Sequence, residues 1–232
     1  METTQTGAAS VPLDLRGACL LDFVGLHLYT AVLSDALDEM GVRNQAMREY
    51  LRPIHAGCRF AGWAHTIGCE DVFENTPNPY DNEIAAVDSI LPDEVVVVST
   101  GRSVRNAPWG ELLSTAAVAR GARGAVVDGL VRDVEKINLL GFPLFASGMK
   151  PVDSLGRGIV TSNNESVECG EVTVHPGDLV VADMDGIVVV PAARVGDAVR
   201  LAAEKAMRED GSRAELRGGA YLRDVYRKYG VL

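Results

Sequence analysis

The chain has 232 residues, 22 of them basic and 32 acidic, for a formal net charge of −10, with 47% hydrophobic and 23% charged residues. That balance describes a globular domain large enough to bury a core without staples, and it lacks the basic footprint of a binder of nucleic acid or anionic membranes. Its four cysteines, Cys19, Cys58, Cys69 and Cys169, form no CxxC pair or zinc knuckle, so reduced thiols of a cytoplasmic protein are expected.

Residues 1–15 read as a flexible polar tail with neither the basic nor the apolar region of a signal peptide, leaving 16–232 as the folded domain. No apolar run approaches the ~18 residues of a membrane span. From Thr30, Leu33, Ala36, Leu37 and Met40 recur at helical spacing, and Gly41 supplies a C-terminal stop. A strand is expected around Phe60 to Ile67, where His65 reads as a satisfied or edge histidine rather than a cleft residue. The stretch Phe73–Glu83, FENTPNPYDNE, reads either as a determinant of substrate choice or as a plain surface loop. Asp81 then caps a helix expected to bury Ile84, Val87 and Leu91. Pro92-Asp93-Glu94 turns the chain into Val95–Val98, a strand buried on both faces.

The alternation continues through the centre. A helix over Gly110–Arg120 places Leu112, Leu113, Ala116 and Ala117 inward. It is followed by a short strand at Ala125–Val127, a helix over Asp133–Leu140 stopped by Gly141, and a strand at Phe142–Phe145. Such spacing argues for a single-domain α/β core with parallel pairs. A β-rich meander follows: Val167–Val174, Leu179–Ala182 and Ile187–Val190, joined by PGD and MDG turns. A long helix then opens at Pro191 as its first residue and buries Val195, Ala198, Val199, Ala202 and Ala206. The basic-aromatic end, Tyr221–Leu232, is expected to dock on the body or on a neighbour.

Chemistry concentrates at Trp109-Gly110-Glu111-Leu112-Leu113 and Asp128-Gly129-Leu130-Val131-Arg132-Asp133. Gly110 and its successors open a helix whose unpaired N–H groups make an anion site. Arg132 and Asp133 follow a buried strand, at the carboxyl edge where open α/β sheets bind ligands. Arg132 would clamp a carboxylate and Asp133 would offer a hard oxygen to a divalent cation. Each feature alone reads more readily as an ordinary helix start or an N-cap aspartate.

Their combination resembles the class II pyruvate aldolases related to 4-hydroxy-4-methyl-2-oxoglutarate/4-carboxy-4-hydroxy-2-oxoadipate aldolase, a family that includes the regulator of ribonuclease activity A. Its signature is an acid, twenty residues, then Arg-Asp; here Glu111 precedes residues 112–131 and Arg132-Asp133. SDALDEMG, WGELLSTAA, GAVVDGLVRD and PGDLVVADMDGIVVVP extend the resemblance from Ser34 to Pro191. The resemblance implies an α/β sandwich of the swivelling-domain kind with a β-rich C-terminal half and terminal helices, assembled as a homotrimer or a dimer of trimers with an inter-subunit site. Asp133 would be the direct ligand of Mg²⁺ or Mn²⁺. Arg132 would hold the pyruvyl end of a small 2-oxo acid, the Gly110, Glu111, Leu112 and Leu113 amides its carboxylate, and Glu111 would orient metal-bound water. The implied reaction is retro-aldol cleavage of a 4-hydroxy-2-oxo acid to pyruvate, with oxaloacetate decarboxylation beside it; the alternative is a non-enzymatic trimeric regulator binding a ribonuclease.

Family members also place a neighbouring subunit's C-terminal acid near the metal. Glu204, Glu209, Glu215 and Asp224 all remain open for that part. The general base is not identified, and Lys136 and Lys150 read as surface charges. A methyltransferase reading fails, because Gly121–Gly124 precedes a strand instead of following one.

Overall fold

The computed structural model describes residues 18–231, so the tail expected over 1–15 lies outside the described residues. The elements run α1 (Ala18–His27), α2 (Thr30–Glu39), β1 (Arg52–Pro53), β2 (Phe60–Asp71), α3 (Asp81–Asp88), β3 (Glu94–Ser99), α4 (Glu111–Ala119), β4 (Gly124–Val131), α5 (Val134–Leu140) and β5 (Leu144–Met149). They continue with β6 (Gly158–Asn163), β7 (Val167–Cys169), β8 (Val172–Val174), β9 (Leu179–Asp183), β10 (Gly186–Val190), α6 (Val195–Arg217) and α7 (Leu222–Tyr229). No single described helix is long and apolar enough to cross a membrane.

One eight-stranded sheet has the order β1-β5-β4-β3-β2-β9-β10, with β6 paired to β2. The pairs β2–β3, β3–β4 and β4–β5 are parallel, as the helix–strand alternation requires. Ala46, just ahead of β1, bridges Val188 of β10, so the two ends of the sheet nearly meet and the sheet approaches a barrel. Alternation along each strand sorts the core into two faces. Val95, Val97, Val126 and Phe145 pack on one side with Phe60, Val180 and the small β7–β8 hairpin. Val96, Val98, Ala125 and Val127 pack on the other under α3, α4 and α5. Hence the four-valine run is buried throughout, between 0% and 2% exposed. The helices α1, α2 and α6 cover β9 and β10.

Several expectations need correction. Asp81 lies inside α3 and makes no capping bond, and α3 buries Ala86 and Val87, with Ile90 just beyond, while Ile84 and Leu91 face outward. Val167–Val174 is a hairpin of two strands. β4 runs on through Val131, and the strand expected at Phe142–Phe145 lies instead at Leu144–Met149. Pro191 precedes a 3₁₀ turn, Ala192–Arg194, and α6 begins only at Val195. Gly41 does close α2, with φ of 71°. The end segment docks on its own body: Val225 and Val231 are buried, and Lys228 and Tyr229 both bond Glu215 of α6. His65 sits 1% exposed in the central strand β2, with Nδ1 3.0 Å from Glu94 Oε2, and it does not line the cleft described below.

Candidate active site

The parallel strands β4 and β5 deliver their carboxyl ends to one edge of the sheet, and the segment before α4 is stitched onto that edge. Trp109 bridges Val131 in parallel, and Arg132 N–H donates to the Trp109 carbonyl at 3.0 Å. The indole is buried and donates through Nε1 to Ser114 Oγ (2.9 Å), while Ser114 Oγ donates to the Gly110 carbonyl (3.0 Å). The start of α4 is therefore fixed from within, and Gly110 caps it without a side chain.

That bare position matters. A Cβ on Gly110 would lie 2.8 Å from Asp133 Oδ2 and 3.1 Å from Arg132 Cγ, so only glycine lets the Arg-Asp pair approach the helix end. Asp133 has φ of 59° and ψ of 30°, a left-handed conformation uncommon outside glycine. It stands at the N-cap of α5 yet makes no side-chain cap bond there. Its carboxylate turns instead to α4, 3.5 Å from the Glu111 N–H and 3.8 Å from Arg132 Nε. An ordinary capping aspartate would do the opposite.

Arg132 is held from its other side. Nη2 lies 2.9 Å from Asp153 Oδ1, on the loop after β5. Asp153 Oδ2 accepts from the Leu155 N–H at 3.2 Å and from the Tyr80 hydroxyl. Burial alone would raise the Asp153 carboxyl; the Tyr80 hydroxyl, the backbone N–H groups and Arg132 outweigh it and hold it below the usual range. Tyr80, conversely, is raised mainly by its bond to that carboxylate. On the next helix, Glu83 is pushed up to about 7, first by burial and then by the Asp153 charge, with Arg132 opposing.

A cleft adjoins this cluster, lined among others by Cys69, Glu83, Asn106, Pro108 and Ser154. Pro108 leads into Trp109-Gly110 and Ser154 follows Asp153, so the cleft and the Arg132 site draw on the same two segments of chain.

The structure thus brings together Gly110, Arg132, Asp133 and the opening N–H groups of α4. Glu111 joins them through its N–H; its carboxylate bonds back to Thr115 of its own helix at 3.0 Å. Leu113 is half-buried, but Leu112 is 77% exposed, so the side chain expected inward points out and Ala117 and Ser114 fill the inner face. Sequence reasoning missed Tyr80, Glu83, Asn106 and Asp153. Tyr80 and Glu83 lie in the FENTPNPYDNE stretch, which reaches the site and is not a detached surface loop. Asp153 follows β5 as Arg132 follows β4, and the carboxyl-edge rule applied one strand further would have found it.

Among the described residues no three His, Cys, Asp or Glu side chains converge as a metal cage. A single under-paired carboxylate, kept open by Gly110, still suits a hard ion that retains most of its waters, as Mg²⁺ does. The four candidate C-terminal acids are engaged within the chain: Glu204 with Arg200, Glu209 with Tyr29, Glu215 with Lys228, and Asp224 with Arg227.

A family model described as “RraA-like: Aldolase/RraA” matches residues 30–189. Protein DlpA of Legionella pneumophila is 26% identical over 204 residues, which is 88% of this chain but 33% of that protein, so the chain spans only a third of the relative's length. A Halalkalibacterium halodurans protein named “Putative 4-hydroxy-4-methyl-2-oxoglutarate aldolase” is 30% identical over 178 residues, 76% of this chain and 79% of its own. Among solved structures, Streptomyces coelicolor RraAS2, described as an unusual member of the RNase ES inhibitor RraA protein family, aligns with a TM-score of 0.78 at 27% identity. That alignment covers 86% of this chain and 98% of the Streptomyces one.

Proposed function

Because the chain belongs to the RraA-like family of aldolases and RraA proteins, we propose that it is a divalent-metal-dependent lyase. Its reaction is the cleavage of a 4-hydroxy-2-oxo acid to pyruvate and a second oxo compound, with oxaloacetate decarboxylation as a side activity. The observation that carries this reading is the orientation of Asp133: a left-handed aspartate, turned away from its own helix, beside Arg132 at the amino end of α4.

Asp133 is the residue that would hold Mg²⁺ or Mn²⁺, and a bound cation would supply Lewis-acid polarisation of the 2-oxo group. The substrate carboxylate docks on the N–H groups of Gly110–Leu113, where the helix dipole favours negative charge. Arg132, oriented by Asp153, faces the pyruvyl end. When the C3–C4 bond breaks, its electron pair stays on the pyruvyl fragment, and a guanidinium fixed there acts where charge develops. Glu111 orients water at the mouth. Leu112 on α4 and Leu139 on α5 are 77% and 89% exposed. Such outward apolar side chains beside the site suit the proposed homotrimer or dimer of trimers, in which a neighbour covers it.

The test is pyruvate release from 4-hydroxy-4-methyl-2-oxoglutarate and from oxaloacetate with Mg²⁺, repeated with EDTA. EDTA-sensitive release supports the lyase. Failure with both acids favours a non-enzymatic regulator, a reading supported by the description of the Streptomyces relative, and ribonuclease inhibition is then the assay.

A further inference from the structure

We propose that Thr100 and Ser147 are positioning residues for this site: their hydroxyls pin a bulge in β4 that sets the register of Arg132 and Asp133. The effect on turnover rests on the lyase reading above. Along the β4–β5 pair, Ala125, Val126 and Val127 stand opposite Leu144, Phe145 and Ala146, whereas Leu130 and Val131 stand opposite Gly148 and Met149. Asp128 and Gly129 therefore share the one residue Ser147 across the pair. Such an extra residue is the kind of bulge that re-aims side chains beside active sites. On its other side β4 keeps an even register with β3 as far as Ser99 and Asp128.

A bulge disrupts the ladder around it, and here side chains take up the carbonyls of both its residues. Thr100 Oγ1, just past the end of β3, donates to the Asp128 carbonyl at 2.5 Å and accepts from the Ser103 N–H at 3.1 Å. Ser147 Oγ, on β5, donates to the Gly129 carbonyl at 2.6 Å. The Asp128 side chain is buried and held from a third direction, its Oδ2 accepting from the Gly170 N–H at 2.9 Å. Gly129 makes room for the first of these contacts, since a Cβ there would lie 2.6 Å from Thr100 Oγ1.

The residues that follow the bulge are the site itself. Val131 meets Trp109, the Arg132 N–H donates to the Trp109 carbonyl, and Arg132 Nη2 reaches Asp153 Oδ1 at 2.9 Å on the loop after β5. A strand advances about 3.3 Å per residue, so a slip of one residue along β5 is enough to break that contact. The same slip would carry the Asp133 carboxylate away from the bare Gly110 that it needs beside it. Thr100 and Ser147 thus act through the backbone of β4, from the two strands that flank it.

The test uses Thr100→Val and Ser147→Ala, which remove the hydroxyls, and Thr100→Ser, which keeps one. Amide hydrogen exchange read by NMR should show the Arg132 N–H exchanging about 10-fold or more faster in the first two variants. The amides of Val180 and Val181 in β9 should be unchanged, and Thr100→Ser should match wild type. For 4-hydroxy-4-methyl-2-oxoglutarate, kcat/KM should fall about 10-fold or more in Thr100→Val and Ser147→Ala and recover in Thr100→Ser. In an Arg132→Ala background, Thr100→Val should cost clearly less than it does in wild type, because one of the two aimed groups is already gone. Unchanged exchange at Arg132, equal acceleration in β9, no rescue by Thr100→Ser, or an undiminished loss in the Arg132→Ala background would overturn the assignment. Absence of pyruvate from both acids in wild type would remove the lyase reading, and exchange at Arg132 would still decide whether the hydroxyls pin the bulge.

Discussion

Arg132 and Asp153 face each other at 2.9 Å across the carboxyl edge of the sheet, joining the ends of two adjacent parallel strands. The contact fixes a guanidinium that would otherwise sweep through solvent, since the Arg132 side chain is 39% exposed. Asp153→Asn keeps the shape and weakens that hold. KM for the 2-oxo acid should rise about tenfold with a smaller change in kcat, because a misoriented clamp loses binding before chemistry. Arg132→Ala should instead cut kcat/KM by about 10²-fold or more. Steady-state kinetics on both variants separate the two effects, and equal KM effects from both would argue against orientation by Asp153.

Burial raises the Glu83 carboxyl first, and the same pair then tunes it, the two partners acting with opposite sign. The Asp153 charge raises the Glu83 carboxyl and Arg132 lowers it. Asp153→Asn should therefore move the Glu83 titration downward, and Arg132→Ala should move it upward. Carboxyl ¹³C NMR of each variant measures this; shifts in one common direction would show that the titrating signal belongs to another group.

At Asp133 the useful substitution is asparagine. The left-handed backbone there tolerates Asn far better than Ala, so Asp133→Asn removes the charge without adding strain. The fold should survive, with Tm within a few degrees, while Mg²⁺-dependent turnover is lost. Gly110→Ala approaches the same atom from the other side: the new methyl would displace the Asp133 carboxylate, costing metal affinity and about 10-fold or more in rate. Calorimetric Mg²⁺ titration reads both variants, and unchanged affinity in both would remove Asp133 as the ligand.

What the residues disclosed in advance, and what they hid, divides along physical lines. Val95–Val98 and Gly41 report their surroundings directly, because burial on two faces and a left-handed turn each restrict the residue type. Arg132 and Asp133 were legible because they directly follow a buried strand. Asp153 stands at the same edge but four residues past its strand, where that rule reaches it less directly, and Glu83 is not special in its local sequence. Their roles come from lying beside Arg132 in space, twenty or more residues away in the chain. Leu112 misled for a different reason: its helical spacing marks a face, but Ser114 and Ala117 are the residues that fit against the buried Trp109.

Glu83 also leaves a mark on stability, which needs no substrate to measure. Its carboxyl titrates at about 7 in the folded chain, above the ordinary 4.5. Because the folded state holds the proton more tightly, stability falls as pH rises through the window from about 4.5 to 7, and the full penalty persists above it. That shift corresponds to about 3 kcal/mol. Glu83→Gln, neutral throughout, escapes the penalty. The variant should match wild type in urea unfolding near pH 4.5 and exceed it progressively up to pH 8. A gain of equal size at both pH values would trace to packing and not to ionisation. No gain at pH 8 would mean that the carboxylate is better solvated in the cleft than its burial beside Asp153 implies.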